Sequence, residues 1–134
     1  MGSSTVKILL DTHIWLWYSL DSKRISPELL AKIADTQNEL WLSPITVWET
    51  LLLSEKGRIS LETNAVEWIN QTLKEFKTQE AQLNHSIAVL SREIELPHQD
   101  PADRFLAATA IHYGLTLATI DINLANSSFV TTIS

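Results

Sequence analysis

Short apolar runs alternate with amphipathic helical patterns along the whole chain, and this alternation restricts the fold more than any other feature. Val6–Leu10 (VKILL) reads as a buried strand, Glu39–Leu42 (ELWL) as a second short strand and Leu115–Ile120 (LTLATI) as another strand. The AQL stretch after Thr78 and Phe129–Ile133 read as further short ones. The helices between them have identifiable starts. Ser26-Pro27-Glu28 supplies an N-cap, a proline at the first helical position and an acid in the first turn. Leu29, Leu30, Ile33 and Ala34 then share one face. Ser43-Pro44 opens another helix, with Ile45, Trp48, Leu51 and Leu52 expected on one side and Gly57 as its stop. Val66, Ile69, Leu73 and Phe76 form a third pattern, capped near Thr63, and Ser86–Ile94 a fourth. Asp100-Pro101 begins a helix carrying Phe105, Leu106, Thr109, Ala110 and Tyr113, with Gly114 as its C-terminal signal. Strands separated by helical crossovers predict a parallel sheet covered by helices on both faces.

No repeat or linker interrupts the pattern, so residues 1–134 are expected to form a single domain. Hydrophobic residues make up 45% of the chain, enough for a substantial core. Cysteine is absent, which excludes disulfides, thiol nucleophiles and Cys-ligated zinc or iron–sulfur clusters. The densest apolar run, Ile14–Tyr18, is far short of the roughly 18–20 residues of a membrane span, and MGSSTVK lacks the features of a secretory signal. A cytoplasmic protein with no membrane association is expected. Ten basic residues stand against 16 acidic ones, a net charge of −6. Binding nucleic acid through net positive charge is therefore excluded, and phosphate chemistry needs a cation held by the acids, or a local basic rim.

The acids are placed to gather. In open parallel sheets, ligands bind beyond the carboxyl ends of the strands. Asp11 ends the first strand, and Asp121 ends LTLATI. Glu49 lies near the start of the helix after ELWL, and Asp103 in the first turn of the helix after Asp100-Pro101. Hard divalent cations take such oxygen ligands. Each acid also has a local role open to it. Asp11 and Asp121 suit turns or caps, Asp100 suits an N-cap, and Glu49 suits an ordinary helix surface. Taken together, four acids from distant segments are a stronger signal than any one.

The segments LLDTHIWLW, SPITVWE, HQDPADRFLAATA and ATID resemble, in this order, the four acidic motifs of PIN-domain proteins. Within that family the chain is most similar to the small bacterial VapC-type toxins with an H-x-D-P-x-D-R segment. The likeness runs from Val6 to about Val130. It implies a three-layer α/β/α sandwich with a mostly parallel five-stranded sheet, and a Mg²⁺- or Mn²⁺-dependent ribonuclease that hydrolyses RNA with metal-activated water. It carries the acidic site onto Asp11, Glu49, Asp103 and Asp121, with Asp11 and Asp103 first as metal ligands. Thr46, at the family's Ser/Thr position, lies three residues before Glu49 and faces the same way on a helix. Thr119 alternates to the side of Asp121 if the strand extends that far. A cognate antitoxin and a homodimer are the partners that the resemblance implies.

Two other classes compete. A catalytically silent PIN domain would bind RNA or protein, although four intact acids argue against it. An aspartate-nucleophile phosphatase wants a second Asp two residues after Asp11, where this chain has His13. The four histidines, at positions 13, 85, 98 and 112, show no metal-ligand spacing, and surface or packing roles are expected. His98 is set apart by its place in the acidic segment beside Asp100. Arg104 either meets RNA phosphate or pairs with Asp100. Of the five tryptophans most are expected in the core. Ile14–Tyr18 is too continuously apolar for one core-facing stripe, so part of it is expected on an exposed groove or dimer face, together with Trp48–Leu53.

Overall fold

Five strands form one sheet in the order β3-β2-β1-β4-β5. They are β1 (Lys7–Leu10), β2 (Glu39–Leu42), β3 (Gln79–Glu80), β4 (Thr116–Ala118) and β5 (Thr132–Ile133). All four pairings are parallel, so the sheet is wholly rather than mostly parallel. The helices are α1 (Thr12–Leu20), α2 (Pro27–Ala34), α3 (Pro44–Glu55), α4 (Ala65–Glu75), α5 (His85–Glu93), α6 (Pro101–Tyr113) and α7 (Ile122–Ala125), with a 3-10 turn at Ser22–Arg24. This computed structural model describes residues 5–97 and 99–134. The expectation attached to His98 falls outside the described residues. No helix among the described residues is long and apolar enough to cross a membrane.

Two-residue alternation makes the sheet the middle of three layers. Leu9 and Leu117 point into one core, with Ile87, Leu106 and Ala107 of α5 and α6. Ile8, Leu10 and Ala118 point into the other, with Ile14, Trp15 and Leu29 of α1 and α2. Each fully buried Leu or Ile contributes roughly 1.5–3 kcal/mol, so the central strands anchor both faces. The predicted caps on α2, α3 and α6 form as read: Ser26, Ser43 and Asp100 accept from Leu29, Ile45 and Asp103 N–H. Gly114 ends α6 in the left-handed region at φ +67°, which a residue with a Cβ adopts only at a cost.

The structure corrects several expectations. α3 buries Thr46 and Thr50, while Trp48 is 50% exposed and Ile45, Leu51 and Leu52 are half-buried. α3 packs against α1, α4 and α6, where a small side chain fits and an indole does not. The hydroxyls are satisfied in place: Thr50 Oγ1 donates to the Thr46 carbonyl at 2.8 Å. The cap expected near Thr63 is the adjacent Asn64, but the buried face of α4 is Ile69 and Thr72, leaving Val66 and Leu73 exposed. The third strand lies two residues early, on exposed polar Gln79–Glu80; an edge strand needs no apolar run. β4 and β5 are shorter than read, and α7 had no periodic signal.

α1 meets the expectation of an exposed apolar surface only in part: Trp17 is half-buried and lines a cavity, while the three residues before it are core. Ile14, Trp15 and Leu16 are all buried, and Trp15 is 1% exposed. The helix is covered from several directions. Trp15 meets Trp68 of α4 edge-to-face at 5.4 Å, Tyr18 packs on Phe76 at 5.2 Å, and the Arg24 guanidinium lies over Trp17.

Candidate functional site

The chain leaves β1 toward β2 and β3, then returns to place β4 on the other side of β1. The carboxyl ends of β1 and β4 thus flank the switch point of the sheet, where parallel folds open a crevice. Leu10 is in register with Ala118, and Asp11 N–H donates to the Ala118 carbonyl at 3.1 Å. Asp11 is thereby fixed beside Thr119.

Asp11 is the N-cap of α1, its Oδ1 accepting from Ile14 N–H at 2.8 Å, and the residue is only 7% exposed. Burial pushes its carboxyl above the ordinary range. Hydrogen bonds from the Thr119 hydroxyl and Ile14 N–H and the nearby His13 oppose that rise, while the Glu49 charge adds to it. Thr119 also accepts from Asp121 N–H at 3.0 Å, so one buried hydroxyl ties two acidic segments together. β4 ends at Ala118, so this link comes from the strand's exit and not from strand alternation. Asp121 caps α7, its Oδ1 accepting from Asn123 and Leu124 N–H at 2.9 and 3.2 Å.

Glu49 approaches from α3, and its Oε1 accepts a short hydrogen bond from the Thr12 hydroxyl. Thr46 lies beneath, fully buried, with its Oγ1 3.4 Å from Thr12 Oγ1. Thr46 and Glu49 therefore do face one way, and they meet through Thr12. α6 brings Asp103 in its first turn, one helical turn from its cap Asp100.

Asp11, Glu49, Asp103 and Asp121 all line one cavity of about 430 Å³, with Thr12, His13, Trp17, Arg24, Asp100 and Ile120. Thr46 and Thr119 are behind its wall. Capping and lining coexist: Asp11, Asp100 and Asp121 each cap a helix and face the cavity. Among the described residues no group of three or more His, Asp or Glu side chains is gathered closely enough to hold an ion as it stands. The donor chemistry nonetheless fits a hard divalent cation. The donors are all carboxylate oxygens, one of them buried with its charged form penalised, and a hard cation such as Mg²⁺ would take one or two of them and keep several waters.

Arg104 neither meets solvent nor serves as a cavity cation. It is 4% exposed, and its guanidinium donates to the carbonyls of Ser91 at 2.8 Å and of Ile94, at the end of α5. The sequence reading missed Thr12, although its place directly after Asp11 was a usable signal. Trp17 falls within the Ile14–Tyr18 run expected on a groove, whereas Arg24 was missed for a different reason. The turn carrying Arg24 folds back over α1, and local sequence does not report that.

Residues 8–129 match the PIN domain family. The chain is 32% identical over 120 residues to Ribonuclease VapC22 of Mycobacterium tuberculosis (strain ATCC 25618 / H37Rv), covering 87% of this chain and 88% of that protein. Its fold resembles VapBC2 from Rickettsia felis bound to a DNA fragment from their promoter, with a TM-score of 0.70, 16% identity and coverage of 96% and 98% of the two chains. It likewise resembles DNA-bound VapBC from Salmonella typhimurium, with a TM-score of 0.69, 18% identity and coverage of 96% and 98%. The chain belongs to the PIN domain family, and within it to the VapC type.

Proposed function

We propose that this protein is a divalent-metal-dependent endoribonuclease, the toxin of a toxin–antitoxin pair. The observation that carries the reading is the convergence of Asp11, Glu49, Asp103 and Asp121 on one cavity at the sheet's switch point. The name of the M. tuberculosis relative, a ribonuclease, supports RNA as substrate. Complexes of the structural neighbours, one of them a toxin–antitoxin complex from Klebsiella pneumoniae, support an antitoxin as partner. The proposed place of action is the cytoplasm, and a homodimer is proposed as the working form.

Asp11 and Asp103 are the first candidates to hold Mg²⁺ or Mn²⁺ directly, with Glu49 and Asp121 assisting through a second ion or through water. When bound, such an ion supplies positive charge against the phosphodiester and acidity that readies a water for attack. The protein's part is orientation. The α1 cap and the Thr119 hydroxyl hold the Asp11 carboxylate, and Thr12 holds Glu49 Oε1 toward the same space. Water adds to phosphorus, and the bond to the 3′-oxygen breaks. The products are a 5′-phosphate and a 3′-hydroxyl.

The competing reading is a catalytically silent PIN module that binds RNA or protein, against which the four acids kept in one cavity argue. Cleavage of an RNA pool with Mg²⁺, and its loss with chelator, separates the two. Asp11→Asn and Asp103→Asn remove ligand charge at nearly constant volume, and each is expected to abolish cleavage with the fold intact. Near wild-type cleavage by either variant would overturn the ligand assignment.

A further inference from the structure

The acidic cavity contains a cation that the chemistry above does not use. Arg24 is the sole Lys or Arg among its described lining residues, facing Asp11, Glu49, Asp100, Asp103 and Asp121. No described carboxylate pairs with it. Its guanidinium carbon instead lies 4.5 Å from the centre of the Trp17 ring. A guanidinium placed over an aromatic ring makes no hydrogen bond to it and keeps N–H groups for another partner.

The turn that carries Arg24 is pinned at both ends. Asp21 N–H donates to the Trp17 carbonyl at 2.7 Å, and Arg24 N–H to the Asp21 carbonyl at 3.1 Å. Ile25 N–H donates to the Ser22 carbonyl at 3.1 Å, and the Ile25 side chain is buried in the core. Arg24 itself is exposed. It is thus a cation on a fixed turn, presented to solvent at the mouth of an acidic cavity. His13 and Trp17, one helical turn apart with rings 6.1 Å apart, add aromatic surface beside it.

We propose that Arg24, braced by Trp17, binds a phosphate of the substrate strand adjacent to the one cleaved, and so positions a single-stranded RNA across the acidic cavity. The inference rests on the nuclease reading. A chain of net charge −6 repels a phosphate backbone, and five acids in one cavity concentrate that repulsion. A planar guanidinium matches two phosphate oxygens, and an aromatic neighbour suits the attached base. A carboxylate of a protein partner would use the guanidinium but leave the aromatic pair unexplained.

The test measures binding of a short single-stranded oligoribonucleotide over a range of KCl concentrations, on an Asp11→Asn background so that binding is read without turnover. Arg24→Ala is expected to weaken binding about tenfold or more. It should also make the slope of log K against log salt shallower by about 0.7, the loss of one phosphate contact to a single strand. Arg24→Lys should restore the slope and only part of the affinity, since an ammonium keeps the charge and not the fork. In the Asp11-intact protein with Mg²⁺, the Arg24→Ala loss should fall on KM rather than kcat. An unchanged salt slope overturns the proposal even where affinity drops, because Arg24 would then only brace Trp17. Binding of a poly-glutamate peptide that depends on Arg24, with oligonucleotide binding unaffected, overturns it in favour of a protein contact. If wild type cleaves RNA and the slope does not change, Arg24 falls and the nuclease stands. If wild type neither cleaves nor binds RNA, both fall.

Discussion

Asp11 sits where two requirements conflict. Its position at the end of a central strand buries it, and burial favours the neutral carboxyl; cation binding requires the charged one. Its pKa is raised in the folded protein above the ordinary value of 3.8. Between those two values the folded state holds more protons than the unfolded chain, so stability falls as pH rises through the folded pKa. Asp11→Asn keeps the cap, because an amide oxygen accepts from Ile14 N–H as a carboxylate does. The metal-free variant should therefore melt above wild type at neutral pH, with the gap closing as pH falls through the raised folded pKa toward 3.8. Thermal unfolding across pH 3–8 measures this. A gap independent of pH would show that charge burial is not the cause. Added Mn²⁺ should then stabilise wild type more than the variant, since mass action acts only on a state that binds.

Helix α5 illustrates how an element can depend on one distant side chain. Its last turn leaves carbonyls without helical partners, and Arg104 on α6 reaches them with a buried guanidinium. Hydrogen bonds from a charged donor are worth about 1.5–3 kcal/mol each, and truncating the donor strands buried acceptors. Arg104→Met is expected to cost about 3 kcal/mol, read by urea unfolding, and to speed amide exchange at the end of α5 first. Arg104→Lys should recover little, because a single ammonium does not reproduce the fork. Unchanged stability in Arg104→Met would remove the clamp from the account. α3 makes the complementary point. Its fully buried residues are threonines, so Trp48 is turned outward while Val47, Leu51 and Leu53 reach the core only partly buried.

That outward face bears on the whole molecule. Trp48 is 50% exposed, and with Leu52, Leu53 and Pro101 it lines a groove that shares Glu49 and Asp100 with the acidic cavity. A half-exposed indole beside half-buried leucines is the composition of an interface anchor. The proposed homodimer is therefore argued from α3, and α1 drops out because its Trp15 is core. Wild type should sediment as a dimer at micromolar concentration. Trp48→Ser should raise the dimer dissociation constant by about thirtyfold with unchanged circular dichroism. A wild-type monomer at high micromolar concentration would overturn the dimer and leave the nuclease reading untouched, since that rests on the acids.

How much of this was legible in the chain follows from the range of the forces involved. Caps, proline starts and the αL glycine act within a few residues, so Ser26, Ser43, Asp100 and Gly114 could be read directly. The alternation of strand and helix patterns sufficed for a parallel sheet, and the rule for its carboxyl edge sufficed to gather Asp11, Glu49, Asp103 and Asp121. Which face of a helix is buried is decided by its neighbours instead. Ile14, Trp15 and Leu16 are all buried because α4 and the Ser22–Arg24 turn close over a helix that would otherwise bury one stripe. Thr46 and Thr50 displace Trp48 from the core because α3 is hemmed in by three other helices. Arg104 and Arg24 carry the same charge in sequence. Packing sends one to the carbonyls of α5 and the other to the mouth of the acidic cavity, because the fate of a charge depends on which groups tertiary contact brings within hydrogen-bonding reach.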